Sequence, residues 1–114
     1  MSVNYKIEIG YGYVISCEER AELLDAASSP EIADNISDAL VCIDCYRDDS
    51  DYFLGVNISS IYEGEYNYLN NVLISIQDNL GAYLSELSEI LIDCELPMSD
   101  PWDSPELVIM HRIV

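Results

Sequence analysis

The chain has 114 residues and a mass of 12.8 kDa, which suits one domain and lets it bury about two thirds of the surface that the unfolded chain exposes. Half of its residues are apolar, so the composition excludes disorder that results from low hydrophobicity. Asp and Glu number 22 against 4 Lys and Arg, and the net charge of -18 argues against direct binding to nucleic acid or anionic lipid.

The sequence predicts a cytoplasmic protein. It contains no apolar run of the roughly 18 to 20 residues that span a bilayer. Its first 16 residues alternate polar and apolar side chains and lack the basic start and apolar block of an export signal. In a reducing cytoplasm, the four cysteines are expected to be free thiols that act as small apolar residues. They are Cys17, Cys42, Cys45 and Cys94.

The first predicted element is a half-buried strand over residues 3–15. Every odd position from Val3 to Ile15 is apolar, whereas most even positions are polar or glycine. Gly10 and Gly12 fall on the opposite face, which indicates a bulge or bend, or a place where another backbone lies close.

Two short helices are predicted next. Ser16 and Glu19 form a capping-box pair, so a helix should begin there and run to about Ala27. Ser29 as cap with Pro30 in the first helical position starts the second helix. Its apolar stripe consists of Ile32, Ala33, Ile36, Ala39 and Leu40.

The rest of the chain predicts a hairpin, a long helix and a last strand. The hairpin joins residues 41–46 to the alternating stretch 52–58 through a polar turn. After a predicted loop over residues 62–67, an apolar stripe keeps helical phase from Leu69 to Leu91, and Asn79 and Gly81 bend or divide that helix. A proline-rich loop then leads to a strand over 106–114. This order predicts an α+β domain, with a small, largely antiparallel sheet and two short helices and one long helix packed on one face.

The acidic residues greatly outnumber the available counter-charges. One-to-one pairing neutralises at most 4 of the 22 carboxylates, and the stretch from Asp48 to His111 holds 13 acidic residues without one Lys or Arg. On each short helix the acids share one face, where like charges destabilise an isolated helix by about 0.2 to 0.5 kcal/mol per pair. The stripes are Glu18, Glu22 and Asp25 on the first helix, and Glu31, Asp34 and Asp38 on the second. Glu86, Glu89 and Asp93 repeat the pattern on the long helix.

This surplus charge has two interpretations. A solvated acidic face that keeps the protein soluble is the simpler one, and it is typical of net charges of about 2 to 8 in magnitude. Alternatively, the carboxylates imitate the phosphates of a nucleic acid, which carries about one charge per 1.7 Å of duplex. The second interpretation predicts a partner with a Lys- and Arg-lined groove, such as a nuclease or an RNA-guided effector, and a fast, salt-sensitive association.

A segment that interleaves tyrosine with glutamate is the best single candidate contact. Tyr62, Glu63, Glu65 and Tyr66 lie in the predicted loop, where tyrosine rings anchor interfaces at small entropic cost. The alternative is that Tyr62 or Tyr68 packs onto the sheet while the glutamates are merely exposed. The candidate partner-binding residues are these four, Asp48, Asp49 and Asp51 of the hairpin turn, and the six acids of the short helices. The remaining tyrosines on apolar stripes, Tyr5, Tyr11, Tyr13 and Tyr83, are predicted to be core.

In size, acidity and α+β pattern, the chain resembles phage-encoded inhibitors of bacterial defence nucleases, including anti-CRISPR and anti-restriction DNA mimics. The resemblance implies a non-catalytic inhibitor that acts on a basic nucleic-acid-binding protein, in the host bacterial cytoplasm. It rests on no shared motif, so no residue role is transferred. Nuclease immunity proteins look similar, and a cognate immunity protein of a toxin nuclease is the alternative. A small metal-binding or enzymatic domain is the alternative from a different class.

Motifs for metal binding are incomplete. Cys42 and Cys45 have the spacing of half a zinc site, but residues three apart on a strand point to opposite faces, and no second such pair follows. The acidic turn at residues 48–51 departs from a calcium loop, which would need glycine at Leu54 and glutamate at Ser60.

No catalytic motif is complete either. His111 lies between Ile109 and Ile113 on one face of the last strand, which favours a core or edge histidine over a general base. We therefore expect no catalytic residue, no metal ligand and no cofactor.

Overall fold

The computed structural model describes residues 5–43, 50–97, 99 and 102–113. Within them, a four-stranded antiparallel sheet and four α-helices form an α+β fold. The elements are β1 (Tyr5–Ile15), α1 (Cys17–Ala26), α2 (Pro30–Ala39), β2 (Leu40–Cys42), β3 (Tyr52–Tyr62), a 3-10 helix (Glu63–Tyr68), α3 (Leu69–Asp78), α4 (Leu80–Asp93) and β4 (Glu106–Ile113). None of these helices combines the length and the apolarity that a membrane span needs.

The strand order in the sheet is β2-β3-β1-β4, so β1 and β3 are central. The predicted bulge is present, because the register between β1 and β3 shifts between Ile9 and Gly10. The predicted close approach is present as well. A Cβ at Gly12 would overlap the Leu54 carbonyl oxygen and lie 2.7 Å from Gly55 Cα, so only glycine fits there.

Both short helices begin where the sequence predicts. The amide of Glu19 donates to Ser16 Oγ at 3.1 Å, and the Ser16 amide donates to the Glu19 carboxylate at 3.0 Å, which is a complete capping box. The amide of Ile32 donates to Ser29 Oγ at 3.2 Å, with proline in the first turn. The caps therefore fix where the chain leaves β1 and enters α2.

The predicted division of the stripe from Leu69 to Leu91 is confirmed, because the chain turns at Asn79 between α3 and α4. The one long helix of the predicted fold is therefore two helices. The predicted loop over residues 62–67 is wrong, since β3 extends to Tyr62 and a 3-10 helix leads from it into α3. Such turns are common at the start of α-helices, where they satisfy backbone groups that an open loop would leave to water.

The hairpin of β2 and β3 is confirmed where it is described. Leu40 lies opposite Leu54, and Cys42 opposite Tyr52. The predicted turn residues Asp48 and Asp49, and with them Cys45, lie outside the described residues.

The core lies mainly between the sheet and the helices. One buried cluster joins β1 and β3 to Leu87 and Leu91 of α4, and a second joins Ile9 and Ile61 to Ile76 of α3. A third cluster lies around Phe53, whose ring occupies the space where a Cβ of Gly10 would lie. Phe53 precedes the buried Leu54, and neighbouring strand residues point to opposite faces, so this cluster covers the other side of the sheet.

The predicted aromatic core is only partly confirmed. Tyr13 is buried, its hydroxyl donates to the Trp102 carbonyl, and the two rings meet edge to face at 5.0 Å. Tyr5, Tyr11 and Tyr83 are half-buried. Of the two predicted positions for His111, core or edge, the structure shows the edge: His111 is exposed on β4 and its ring stacks on Tyr5 at 5.1 Å, because α3 and α4 pack on β1 and β3.

Candidate partner-binding surface

Two cations of the sheet converge on one carboxylate. Lys6 Nζ lies 3.1 Å from Glu8 Oε1, and Arg112 Nε lies 3.5 Å from Glu8 Oε2. Arg112 also donates to the carbonyls of Cys42 at 2.6 Å and Ile43 at 2.8 Å. Lys6 and Arg112 therefore form their ion pairs within the sheet and do not pair with the helix carboxylates.

A third cation is engaged by an aromatic ring. The guanidinium carbon of Arg20 lies 4.9 Å from the centre of the Tyr52 ring, which is cation–π geometry. Its Nε is buried and has no hydrogen-bond partner among the described residues. Among the residues that the structure describes, Glu8 is consequently the only carboxylate in an ion pair with Lys or Arg.

The six predicted helix acids are all exposed. Glu18, Glu22 and Asp25 of α1 and Glu31, Asp34 and Asp38 of α2 project into solvent, as do Glu86, Glu89 and Asp93 of α4. Each set lies on one helix face at spacings of three or four residues, so neighbouring carboxylates repel one another.

Packing brings one acid of α2 and one acid of α4 together. The Asn35 side chain of α2 donates to the Asp93 carbonyl at 3.0 Å, and Ser28 Oγ donates to the Glu95 carboxylate at 2.6 Å. Asp38 and Asp93 line one shallow groove of about 260 Å³ between α2 and α4. Asp51 is exposed beside Tyr52, which lies opposite the end of β1 next to α1. We call this region the helix surface. It comprises Glu18, Glu22, Asp25, Glu31, Asp34, Asp38, Asp51 and Asp93.

The tyrosine–glutamate segment lies at the opposite end of the sheet. Tyr62 is opposite Lys6, whereas Tyr52 is opposite Ile15. At about 3.3 Å per strand residue, the two ends of β3 are about 30 Å apart. The structure therefore separates Glu63 and Glu65 from the helix surface.

Within that segment, the rings differ from the sequence expectation. Tyr62 and Tyr68 are 48% and 55% exposed, so neither is the ring that packs onto the sheet. Tyr66 does so instead, against the cluster of Ile9, Ile61 and Ile76, and its buried hydroxyl has no hydrogen-bond partner in the described part of the chain. Tyr62, Glu63 and Glu65 remain accessible, and we call them the 3-10 surface.

The thiols give no metal centre in the described part of the chain. Cys17 is a free, half-buried thiol, and Cys94 is free and buried. Burial, together with the neighbouring charge of Asp93, raises the pKa of the Cys94 thiol. Across residues 5–43, 50–97, 99 and 102–113, no three His, Cys, Asp or Glu side chains form a group that could hold a metal ion.

Sequence reasoning missed one contact within this surface and one ion-pair cluster in the sheet. The meeting of Asp38 with Asp93 depends on how α2 packs on α4, for which the periodicity of each helix contains no signal. The convergence of Lys6 and Arg112 on Glu8 depends on the register of β4 against β1, which places Arg112 opposite Lys6. No protein-family model, curated protein or solved structure matches the chain.

Proposed function

We propose that the protein is a non-catalytic inhibitor that mimics nucleic acid and blocks the basic DNA- or RNA-binding groove of a bacterial defence nuclease. The single observation that carries the proposal is the helix surface. Its carboxylates come from separate elements, are exposed, and have no cationic partner among the described residues, because Lys6, Arg20 and Arg112 are engaged elsewhere.

The quantity of charge is consistent with mimicry. The molecule measures 44 × 36 × 20 Å and has a net charge of -18. A duplex of the same length as the long axis carries about 26 phosphate charges, at one per 1.7 Å. The two charges agree within a factor of about 1.5, whereas solubility alone is served by a net charge of about 2 to 8.

Retention of the repulsive stripes also supports this function. Like charges at these spacings lower the stability of the free protein. A groove lined with Lys and Arg would pair with the same carboxylates. Groups that repel one another in the free protein would then be attracted to the cations of the partner in the complex. Long-range attraction would also accelerate the encounter.

The test is a competition experiment with purified restriction nucleases and RNA-guided effectors. We expect binding that weakens steeply as salt rises, and mutual exclusion between the protein and duplex DNA on the nuclease. Salt-insensitive binding, or a ternary complex with DNA held in the groove, would falsify mimicry.

Two matched variants identify the contact surface. Glu22→Gln with Asp25→Asn removes two charges from the helix surface, and Glu63→Gln with Glu65→Gln removes two from the 3-10 surface. All four side chains are exposed, and the described residues give them no hydrogen bond or ion pair, so both variants should keep the fold. The variant of Glu22 and Asp25 should gain about 0.4 to 1 kcal/mol, because it loses the two like-charge pairs of the α1 stripe. We expect the pair that lies in the interface to weaken inhibition. Full inhibition by both variants, and by their combination, would contradict the proposal.

A further inference from the structure

Among the described strands, none pairs with one side of β3 over most of its length. The short strand β2 pairs only with Tyr52, Phe53 and Leu54. Beyond Leu54, β1 is the only described strand that pairs with β3, and no described backbone group bonds to its other side. We call residues 55–62 the free β3 edge.

This edge lacks two of the features that commonly prevent strand addition, charge and proline, although it contains a bulge. Edge strands are commonly protected by charged residues or proline, and β4 at the opposite edge carries Glu106, His111 and Arg112. The strand β3 reads YFLGVNISSIY, with no charge and no proline, in a chain that is 23% charged. Ile58 is the extra residue of the bulge against β1, so the regular part of the free edge after the bulge is residues 59–62.

A groove shares Ile58 and Ser59 with the free β3 edge. It has a volume of about 340 Å³ and lies between β3 and α3, with Tyr83 of α4 at one side. Added strands bind through main-chain hydrogen bonds to the edge, while adjacent pockets accept alternate side chains. Its walls combine apolar and hydroxyl or amide groups, namely Ile58, Ser59, Asn71, Val72, Ser75 and Tyr83.

The charge around the groove selects the occupant. Asp78 follows Ser75 by three residues on α3, and Glu86 follows Tyr83 by three on α4, so both carboxylates lie one helical turn from groove residues. The chain from Asp48 to His111 contains no Lys or Arg to balance them. A second copy of the protein would add another charge of -18, which disfavours it as the occupant.

We propose that the free β3 edge receives an extended, Lys- or Arg-containing segment of a partner protein as a fifth strand of the sheet. The inference deepens the proposed function, on which it rests for the partner's identity. The helix surface would attract the basic partner, and the β3 edge would hold one segment of it in register.

The primary test uses a blocked hexapeptide of alternating valine and lysine as the probe, added in excess to the full chain. Backbone amide hydrogen exchange is followed residue by residue by NMR. With the peptide bound, we expect the outward-facing amides of residues 59–62 to exchange at about one tenth of their free rate, or more slowly still. A second peptide, N-methylated on the amides of one edge, keeps the charge but cannot complete the ladder, and it should give no such protection.

Four outcomes would overturn the inference. They are equal protection by both peptides, protection confined to α1 and α2, the absence of binding, and protection without peptide that rises with protein concentration. The last outcome would assign the edge to a second copy of the chain.

Two proline variants test the edge from the protein's side. Ser59 and Ser60 lie opposite Ile9 and Glu8, so their N–H groups point to opposite sides of β3. Proline at one position removes a bond to β1, and at the other it removes only an outward donor. Of Ser59→Pro and Ser60→Pro, the variant that loses only the outward donor should keep the parent melting temperature. In that variant, the slowing of amide exchange by the peptide should be about tenfold smaller. Undiminished protection in that variant would refute the inference, and if neither variant folds, the N-methylated peptide decides.

The same variant separates this inference from the proposed function. If the stable proline variant binds the nuclease and excludes DNA as the parent does, the inference is wrong and the inhibitor function stands. If the peptide pairs with the edge but no nuclease is inhibited, the inference stands and the inhibitor function is wrong.

Discussion

Neutralising Asp34 should stabilise the protein while weakening its association with a basic partner. Asp34 lies three residues after Glu31 and four before Asp38 on α2, and all three side chains are exposed. The described residues give Asp34 no hydrogen bond or ion pair, so Asp34→Asn removes charge without removing a contact.

The size of the effect follows from the spacing. Each like-charge pair at three or four residues costs about 0.2 to 0.5 kcal/mol, and Asp34 belongs to two such pairs. Asparagine and aspartate have similar helix propensities, so the side-chain change itself is almost neutral. We therefore expect the free energy of unfolding to rise by about 0.4 to 1 kcal/mol, and the melting temperature by about 2 to 5 °C.

Urea unfolding at low salt and at about 1 M salt measures this effect and its origin. The Debye length falls to about 3 Å at 1 M, so the gain should largely disappear there. Gln77→Asn is a matched control, because Gln77 is an exposed, uncharged residue of α3 and its substitution should show no salt-dependent change. A loss of stability in Asp34→Asn, or a gain of equal size at both salt concentrations, would refute the repulsion that we assign to this stripe.

Three further predictions concern the backbone and one buried phenol. Gly12→Ala should destabilise the fold by about 1 to 3 kcal/mol or more, because the new Cβ would overlap the Leu54 carbonyl. Gly81→Ala is its control and should stabilise by about 1 kcal/mol, because the residue is helical and the new Cβ would meet no described atom within 4 Å. Equal melting temperatures for the two variants would contradict this account. Glu95→Gly should be about 1 kcal/mol more stable than Glu95→Ala, because both variants lose the hydrogen bond from Ser28 Oγ and only glycine adopts the φ of 54° at the end of α4 without strain. Equal stability of these two variants would contradict the strain. Burial, followed by the charges of neighbouring Tyr and Asp side chains, raises the pKa of Tyr13, so the folded state holds this proton more tightly than the unfolded state. The stabilisation that this group contributes is therefore complete below about pH 10 and is lost as the pH rises through the folded pKa. Above about pH 10, the free energy of unfolding measured in urea should fall less steeply with pH in Tyr13→Phe than in the parent. An unchanged slope would show that Tyr13 is not the source of the fall.

Local signals predicted the elements of the fold well. The capping pairs at Ser16 and Ser29 and the alternation before Ile15 depend on residues at most a few positions apart, and the structure confirms each of them. The 3-10 helix was missed because glycine, asparagine and alternating rings are compatible with a loop as well as with tight turns. Asn79 ends α3 as its sequence suggested, although the pattern could not distinguish a bend from a division.

Non-local pairing was harder to predict. The exposure of the helix acids follows from helical phase, but the separation of Glu63 from the α1 and α2 acids follows from the β1–β3 register. The free β3 edge depends on β2 ending as a three-residue strand, which no residue of β3 encodes. Tyr66, and not Tyr62 or Tyr68, faces the core because the 3-10 geometry rotates the segment relative to a strand or loop.

Glu8 pairs with both Lys6 and Arg112, and this pairing affects the electrostatic potential at the surface of the molecule. Its side chain is only 14% exposed, and it holds Lys6 and Arg112 against the sheet. Loss of this one acid would release the Lys6 ammonium, whereas Arg112 would stay bound to the Cys42 and Ile43 carbonyls. The freed ammonium would place a positive charge on a surface that is otherwise rich in carboxylates, so one partly buried glutamate keeps that part of the exterior uniform in sign.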